Sequence, residues 1–573
     1  MSRIKPERAH TAEHFQSFGG LGSSLLAKER KASDMQNLRI SSDGSLQKRT
    51  GYRLLYNLPD TVYAYWEGSI NQTFYQFAIC RNDIYRIDPS TGSTTWVGSR
   101  KDTANTHPEF VFFNDSLYLP EKTGMQMFNV YSNYFEKIQP YIPLYGKNWD
   151  PQKGGSVNEP FNLLTNTIRV HYLNASNAST FFLPFFATCI HSVSVDGVPT
   201  SDFTFDFQSN RFTLGQGLSA INVEVGFEVM LTDDPDGIQS CTRGTVYPGQ
   251  HHSTMCLYQS NIGYRIYCSS NVSQLNLESC RRTYVNAQNL YFTDYNVLFL
   301  GDSQTPITAI RRYGNRLLAH SDSSTWELLC PDDTEEYVQV SALLPGIGCT
   351  APYSAILCNG LPLIVNQRGV FQIKFSASGS IPPEEIRISS DIETLLPKGF
   401  FERCIAREDS HHNELWMRDP NDDYGRVFVY HYVLKEWYVF TNFYTSLFLD
   451  FPNFHGFAYY GKLYAFDQTL YTDHDQAIDA FYQSGYFDFS HPEAQKRSLR
   501  VISCVDIEED SASLKLETEN ADRTFRLPYS KNSSPEFFDI RTIMGRFRFL
   551  RFRIHLSGKK ACRIYSLSFY ANL

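Results

Sequence analysis

Short runs of alternating apolar and polar residues, parted by Asn, Gly and Asp, fill most of this chain. Alternation with period two puts one face of a strand into a core and the other toward solvent. The runs recur in similar units. Residues 74–79 lead to 82–87 and then 94–96, residues 110–113 to 114–119 and then 127–130, and residues 310–313 to 314–319 and then 324–328. Residues 355–358 lead to 359–364 and then 369–373, and residues 454–459 to 460–465 and then 469–471. Pairs such as Asn114-Asp115 and Gly314-Asn315 join the first two runs of a unit and supply the positive φ of a two-residue hairpin. Helical periodicity is nearly absent. Units of about 40 to 50 residues stacked around an axis are how propellers limit exposed sheet edges. The pattern predicts an all-β chain whose body is a β-propeller of six to seven blades, carried by residues 57–150 and 236–476.

Two segments break the repeat. Residues 146–160 are rich in Gly, Pro, Asn and Lys and read as a linker. A coherent β block follows, so residues 151–235 are expected to form a small β-sandwich inserted between blades, a cheap event at an exposed tip. From residue 477 the strands lengthen, and residues 477–573 read as a C-terminal β-sandwich-like segment. Within it Arg546, Arg548, Arg551 and Arg553 alternate with Phe547, Phe549 and Phe552. Arginines interleaved with aromatics occur in nucleic-acid binders, but a strand with Phe inward and Arg outward has the same pattern. Leu550 shifts the alternation once, which predicts a bulge.

The first ordered stretch, residues 15–56, opens on Phe18-Gly19-Gly20-Leu21-Gly22. Ala32, Met35 and Leu38 then stand at near-helical spacing. A hairpin follows, its strands over 37–40 and 46–49 and its turn at Ser42-Asp43-Gly44-Ser45, before Gly51-Tyr52-Arg53 begins another run. Residues 1–56 are expected to act as an N-terminal arm whose strands pair with late strands and close the propeller.

Composition sharpens the picture. The chain has 573 residues, a length that points to several cores, and 42% of them are hydrophobic. With 36 Tyr and 43 Phe it is rich in residues that suit pleated surfaces and subunit interfaces. A net charge of −9 argues against general adhesion to nucleic acid and suits a surface that DNA passes without sticking. The 12 cysteines include no CxxC pair, and Cys256, Cys268 and Cys280 are evenly spaced, as free thiols in successive strands would be. Residues 1–14 lack the apolar core of a signal peptide, and no run approaches the roughly 20 apolar residues of a membrane helix. Folding in a reducing cytoplasm is expected.

Candidate chemistry is sparse. His251-His252 with Cys256, and His411-His412 with Glu414, are local ligand-like clusters, but adjacent histidines on a strand point to opposite faces. The acidic segments 332–336 and 419–423 lack calcium-loop spacing and read as solvated loops. No GxSxG, HExxH, Walker or GxGxxG context occurs, and residues 321–326 only approximate a sialidase-type turn. Catalysis and cofactors are therefore not expected.

Phe18-Gly19-Gly20-Leu21, the 32–39 run and Asp43-Gly44-Ser45-Leu46-Gln47-Lys48-Arg49-Thr50-Gly51-Tyr52 resemble the nozzle, tail tubular and muzzle-like proteins of short-tailed bacteriophages. Residues 426–430, 435–438, 461–464 and 487–496 extend the resemblance. It implies a structural virion protein without enzymatic activity: a propeller subunit in a ring homo-oligomer, usually a hexamer, around the channel through which DNA is ejected. It also implies attachment to a portal, adaptor or other tail proteins, in a virion tail built in the host cytoplasm. On that basis Phe18, Gly19, Gly20, Asn37, Arg39, Asp43, Gly44, Lys48, Arg49, Gly51, Tyr52, Arg546, Arg548, Arg551 and Arg553 are candidates for assembly. The rival expectations are a carbohydrate-binding propeller, with aromatics on one exposed face, and a glycan-cleaving propeller with converging carboxylates.

Overall fold

The computed structural model describes residues 10–22, 31–215, 222–230, 237–248, 253–270, 290–314, 316–329, 338–375, 383–452, 454–508, 512–530 and 534–572. His251, His252, Cys280, Cys330 and the whole acidic 332–336 segment lie outside them. The fold is nearly all β: among the described residues 56% lie in strands and there is a single α-helix, Phe400–Arg403. No helix among the described residues is long and apolar enough to cross a membrane. The chain divides into two compact units, residues 62–349 and residues 1–61 with 350–573.

In the 62–349 unit, four sheets are each a four-stranded antiparallel meander. The first holds Val62–Ile70, Thr73–Cys80, Asp83–Ile87 and Thr94–Ser99, and the second holds Val111–Phe113, Ser116–Leu119, Gln126–Asn129 and Tyr134–Lys137. The third joins Arg243–Pro248, Ser253–Tyr258, Arg265–Cys268 and Val297–Phe299, and the fourth joins Ala309–Tyr313, Arg316–His320, Ser324–Leu329 and Gln339–Pro345. Successive sheets share cores: Phe77 and Ile79 of the first with Leu117 and Phe128 of the second, and Tyr258 and Ile266 of the third with Leu317 and Leu328 of the fourth. The Asn114-Asp115 hairpin turns where expected, at φ 46° and 59°, and Gly314 takes φ 58°, with Asn315 outside the described residues. Cys256 and Cys268 are cross-strand neighbours, both free thiols, with Sγ atoms 3.1 Å apart.

Between the second and third meanders lies a two-sheet block with its own core of Ile168, Tyr172, Phe181, Phe212, Val225 and Phe227. One sheet runs Leu144–Trp149, Thr167–Leu173, Asn222–Val229, Ala187–Val195 and Val198–Pro199, and the other Thr180–Phe182, Arg211–Leu214 and Phe203–Asp206. The linker reading of 146–160 needs correction. Leu144–Trp149 is an edge strand parallel to Thr167–Leu173, and Gly146 and Gly155 are small because the Trp149 indole packs where their side chains would stand.

The other unit holds two more meanders, Ile356–Cys358 to Glu384–Arg387 and Ile405–Asp409 to Glu436–Phe440. Its third meander-like sheet has three late strands, Leu447–Phe451, Phe454–Tyr459 and Lys462–Asp467; the fourth position is filled by Gly51–Asn57 from the N-terminal arm. Thr472–Asp473 pairs on the far side of that early strand.

Residues beyond 477 form a sandwich into which the arm is woven. Its first sheet runs Leu38–Ile40, Leu46–Lys48, Cys562–Asn572, Lys496–Ile507 and Glu536–Phe547, with His10–Phe15 also on Cys562–Asn572. The second runs Ala32–Gln36, Ala480–Ser484, Leu550–Leu556, Ala512–Thr518 and Asp522–Arg526. Val501, Phe569, Leu514, Phe552 and Tyr482 meet between them. The near-helical spacing of Ala32, Met35 and Leu38 belongs to two strands of the two sheets rather than a helix: a register shift between Ala32 and Asp34 in the first strand and a left-handed Asn37 before the second bring all three to buried positions. The basic run is likewise not one bulged strand. One strand ends at Phe547 in the first sheet, and the next begins at Leu550 in the second.

Candidate functional site

The matched segment of the arm converges on one buried guanidinium. At Asn37 the chain takes φ 56°, a left-handed value that a short polar side chain tolerates. Its amide nitrogen donates to Thr441 Oγ1 (2.9 Å) and the Asp479 carbonyl (2.7 Å). Its Oδ1 accepts from Arg49 Nε (2.8 Å) and the Thr441 N–H (2.9 Å). Arg49 has no solvent exposure. Its fork donates to both Asp473 oxygens, Nη1 to Oδ1 at 2.8 Å and Nη2 to Oδ2 at 2.5 Å. Nη1 also donates to the Thr50 carbonyl and Nη2 to that of Thr441. All five donors are thus used, and the plane lies 4.6 Å from the centre of the Phe443 ring.

The flanking residues follow from that pair. Asp473 sits beside Tyr52 in a parallel pairing that runs so close to Gly51 that a Cβ there would stand 1.8 Å from the Thr472 oxygen. Tyr52 packs against Phe443, Phe457 and Tyr464, and its hydroxyl donates to the Asn442 carbonyl. Burial, with Asp473 adding to it, pushes that hydroxyl well above the usual phenol range.

Arg39 makes a second buried fork, Nε to Glu414 Oε1 at 2.7 Å and Nη2 to Oε2 at 3.2 Å. Glu414 also accepts from the Tyr438 hydroxyl (2.6 Å) and Trp416 Nε1 (2.8 Å). Of the ligand-like set around His411, the structure brings His412 and Glu414 together with Asp409, and leaves His411 exposed. Burial raises the Asp409 carboxyl, but the His412 hydrogen bond and the charges of His412, Arg407 and Arg39 outweigh it and hold the group well below the usual range. Both Glu414 oxygens are taken by donors, one of them a cation, so the cluster fits an ion-pair network rather than a metal.

The remaining candidates lie apart from this hub. Phe18 is buried against Phe15 and Tyr482. Gly19 is buried, and at Gly20 a Cβ would stand 2.4 Å from the Trp437 oxygen. Gly44 takes φ 78° in the turn, where Asp43 accepts from Ser45 and from Arg563. Lys48 donates to the Gly558 carbonyl. Arg546 and Arg548 are exposed. Arg551 pairs with Glu517 and faces the Tyr486 ring, and Arg553 lies 3.8 Å from the Phe481 ring centre. The 419–423 segment is not a solvated loop: Asp419 and Asp422 are buried and take the Arg403 and Arg426 forks.

Sequence reasoning missed Asp473, Thr441 and Asp479, and it read Glu414 as a neighbour of His411-His412 rather than as the partner of Arg39. Each lies about 375 to 440 positions from its partner in the arm, and no local pattern marks it. The available signal was indirect: an arginine in an apolar hairpin needs a carboxylate from elsewhere.

No family model and no curated protein matches the sequence. Among solved structures, the exo-β-1,3-galactanase of Phanerochaete chrysosporium with galactose aligns at a TM-score of 0.21 and 8% identity, over 74% of this chain and 99% of that one. PorZ of the type-IX secretion system of Porphyromonas gingivalis aligns at 0.24 and 13%, over 80% and 50%. Core factor of S. cerevisiae aligns at 0.24 and 8%, over 55% and 57%. Similarity at this level supports no inference about fold or function.

Proposed function

We propose that this chain is a structural subunit of a bacteriophage tail, a nozzle or tail-tube protein built on a β-propeller of six to seven blades. It assembles as a ring, six-fold in this reading, around the channel that DNA crosses during ejection. Its neighbours are further copies of itself and portal, adaptor or other tail proteins. It is made in the host cytoplasm and resides in the virion tail, and the role needs neither a cofactor nor bond-making chemistry.

The observation that carries this reading is the work done by the residues that resemble the nozzle family. Asp43-Gly44 makes the turn, Lys48 and Arg49 fasten the hairpin to late segments, Gly51 admits the Asp473 strand, and Gly51–Asn57 completes a sheet of late strands. Six four-stranded meanders and that completed sheet are repeated units of the kind a propeller uses as blades, which supports the reading. The net charge of −9 suits a lumen that DNA slides through.

The test is the native mass of the purified chain, with glycan binding assayed in parallel. A closed oligomer indifferent to glycans supports the reading; a stable monomer that binds them refutes it. One feature favours the carbohydrate-binding alternative. A cleft of about 590 Å³ in the 62–349 unit is lined by Tyr145, Phe161, Phe185, Tyr267 and Phe299, with Arg265 and Asp294 beside them. Under that alternative, Phe299→Ala abolishes glycan binding; under the structural reading there is no such binding to lose.

A further inference from the structure

Glu536–Phe547 is a 12-residue strand at the end of its sheet, antiparallel to Lys496–Ile507 on one side and, among the described residues, paired with no strand on the other. A long bare edge is a template for another strand. On its outward face Phe537 is 78% exposed and Ile543 69%, and Asp539 and Arg541 stand between them, also exposed. The order is self-complementary. Turned antiparallel on itself about Ile540, the strand sets Phe537 opposite Ile543, Asp539 opposite Arg541, and Ile540 opposite Ile540. The regular register ends just past this stretch, where the ladder shifts and Gly545 takes φ 76°. Asp539 is already held on that face by Arg500 at 2.9 Å, with Arg541 of its own strand at 3.7 Å, so its carboxylate is oriented before a second copy's Arg541 exchanges with that longer contact.

We propose that two copies of this chain join edge to edge through Glu536–Phe547, antiparallel and centred on Ile540, continuing the sheet across a two-fold axis. A second copy is the occupant because the same sequence run backwards offers both the charge and the apolar complement. The contact is isologous, whereas a cyclic ring closes through heterologous contacts, so this inference does not depend on the ring.

Two single variants test it, Phe537→Cys and Ile543→Cys, each carrying Cys189→Ser to remove an exposed thiol and Cys504→Ser to remove the thiol opposite position 537 in the neighbouring strand. Both positions are exposed, so the fold tolerates the changes. With oxidised glutathione, two protein thiols become one disulfide and two glutathione thiols are released. The expected result is a disulfide-linked dimer in the equimolar mixture and in neither variant alone. Like positions in the pair are six residues out of register, about 20 Å apart. A mixture without dimer, or dimer formed equally by one variant alone, overturns the proposal. Sedimentation adds a second reading: Asp539→Arg weakens pairing at least tenfold, and adding Arg541→Asp restores it. Pairing that Asp539→Arg leaves unchanged also overturns it.

Discussion

Arg49 shows most plainly how one residue constrains the fold. A buried guanidinium is tolerated only when its charge and all its donors are met, and here Asp473, Asn37, Thr50 and Thr441 meet them. Removing one partner leaves the other buried and charged. Arg49→Met and Asp473→Ala are therefore each expected to lower unfolding free energy by about 3 to 5 kcal/mol in urea titrations. Arg49→Lys does not restore it, because one ammonium cannot reproduce a planar fork. Gly51→Ala is destabilising for a steric reason, since the Thr472 oxygen occupies the space of a methyl group; it lowers the melting temperature while leaving the Asp473 pair chemically intact.

Another residue makes a prediction about pH. His320 is buried, shares a 2.7 Å hydrogen bond with Thr325, and is held down to a pKa of about 3 by burial and by Arg311. An unfolded histidine titrates near 6.5. Below that pH the unfolded chain binds a proton that the folded one refuses, so stability present above pH 6.5 is lost as pH falls toward 3. The loss is about 1.4 kcal/mol per pH unit across that window. His107, lowered to about 4 by burial and by Arg243, acts in the same direction. Unfolding of the wild type followed from pH 7 to pH 4 should show this slope, and His320→Gln should flatten it.

Among the elements, the arm is the most consequential. Three of its strands enter the C-terminal sandwich alongside the first strand, His10–Phe15, and the last completes a sheet of late strands. Deleting residues 15–56 opens both structures, and the expected product is insoluble or protease-sensitive; a soluble truncation with a cooperative melt would contradict this. Much of this element was legible in the sequence. The Asp43-Gly44 hairpin and the period-two runs are set by local backbone preferences and by burial of one face, and both can be read from a few adjacent residues. What was not legible is long-range. The Ala32–Gln36 strand carries a register shift that imitates helical spacing, and Trp149 turns a Gly-rich stretch into packed structure. The crossing between sheets at residues 548–549 is invisible to alternation alone. Asp473 and Glu414 become partners of Arg49 and Arg39 only once the chain has returned across hundreds of residues.

At the scale of the whole molecule, meanders that share cores with their neighbours inside each unit account for the Tyr and Phe content and for the scarcity of helix. The proposed ring places this acidic chain around DNA without gripping it. Electron-microscope class averages of the purified full-length chain test that claim most directly. The account predicts closed rings of six subunits around an open lumen wide enough for a DNA duplex. A homogeneous population of single subunits, at concentrations where tail proteins assemble, would contradict it.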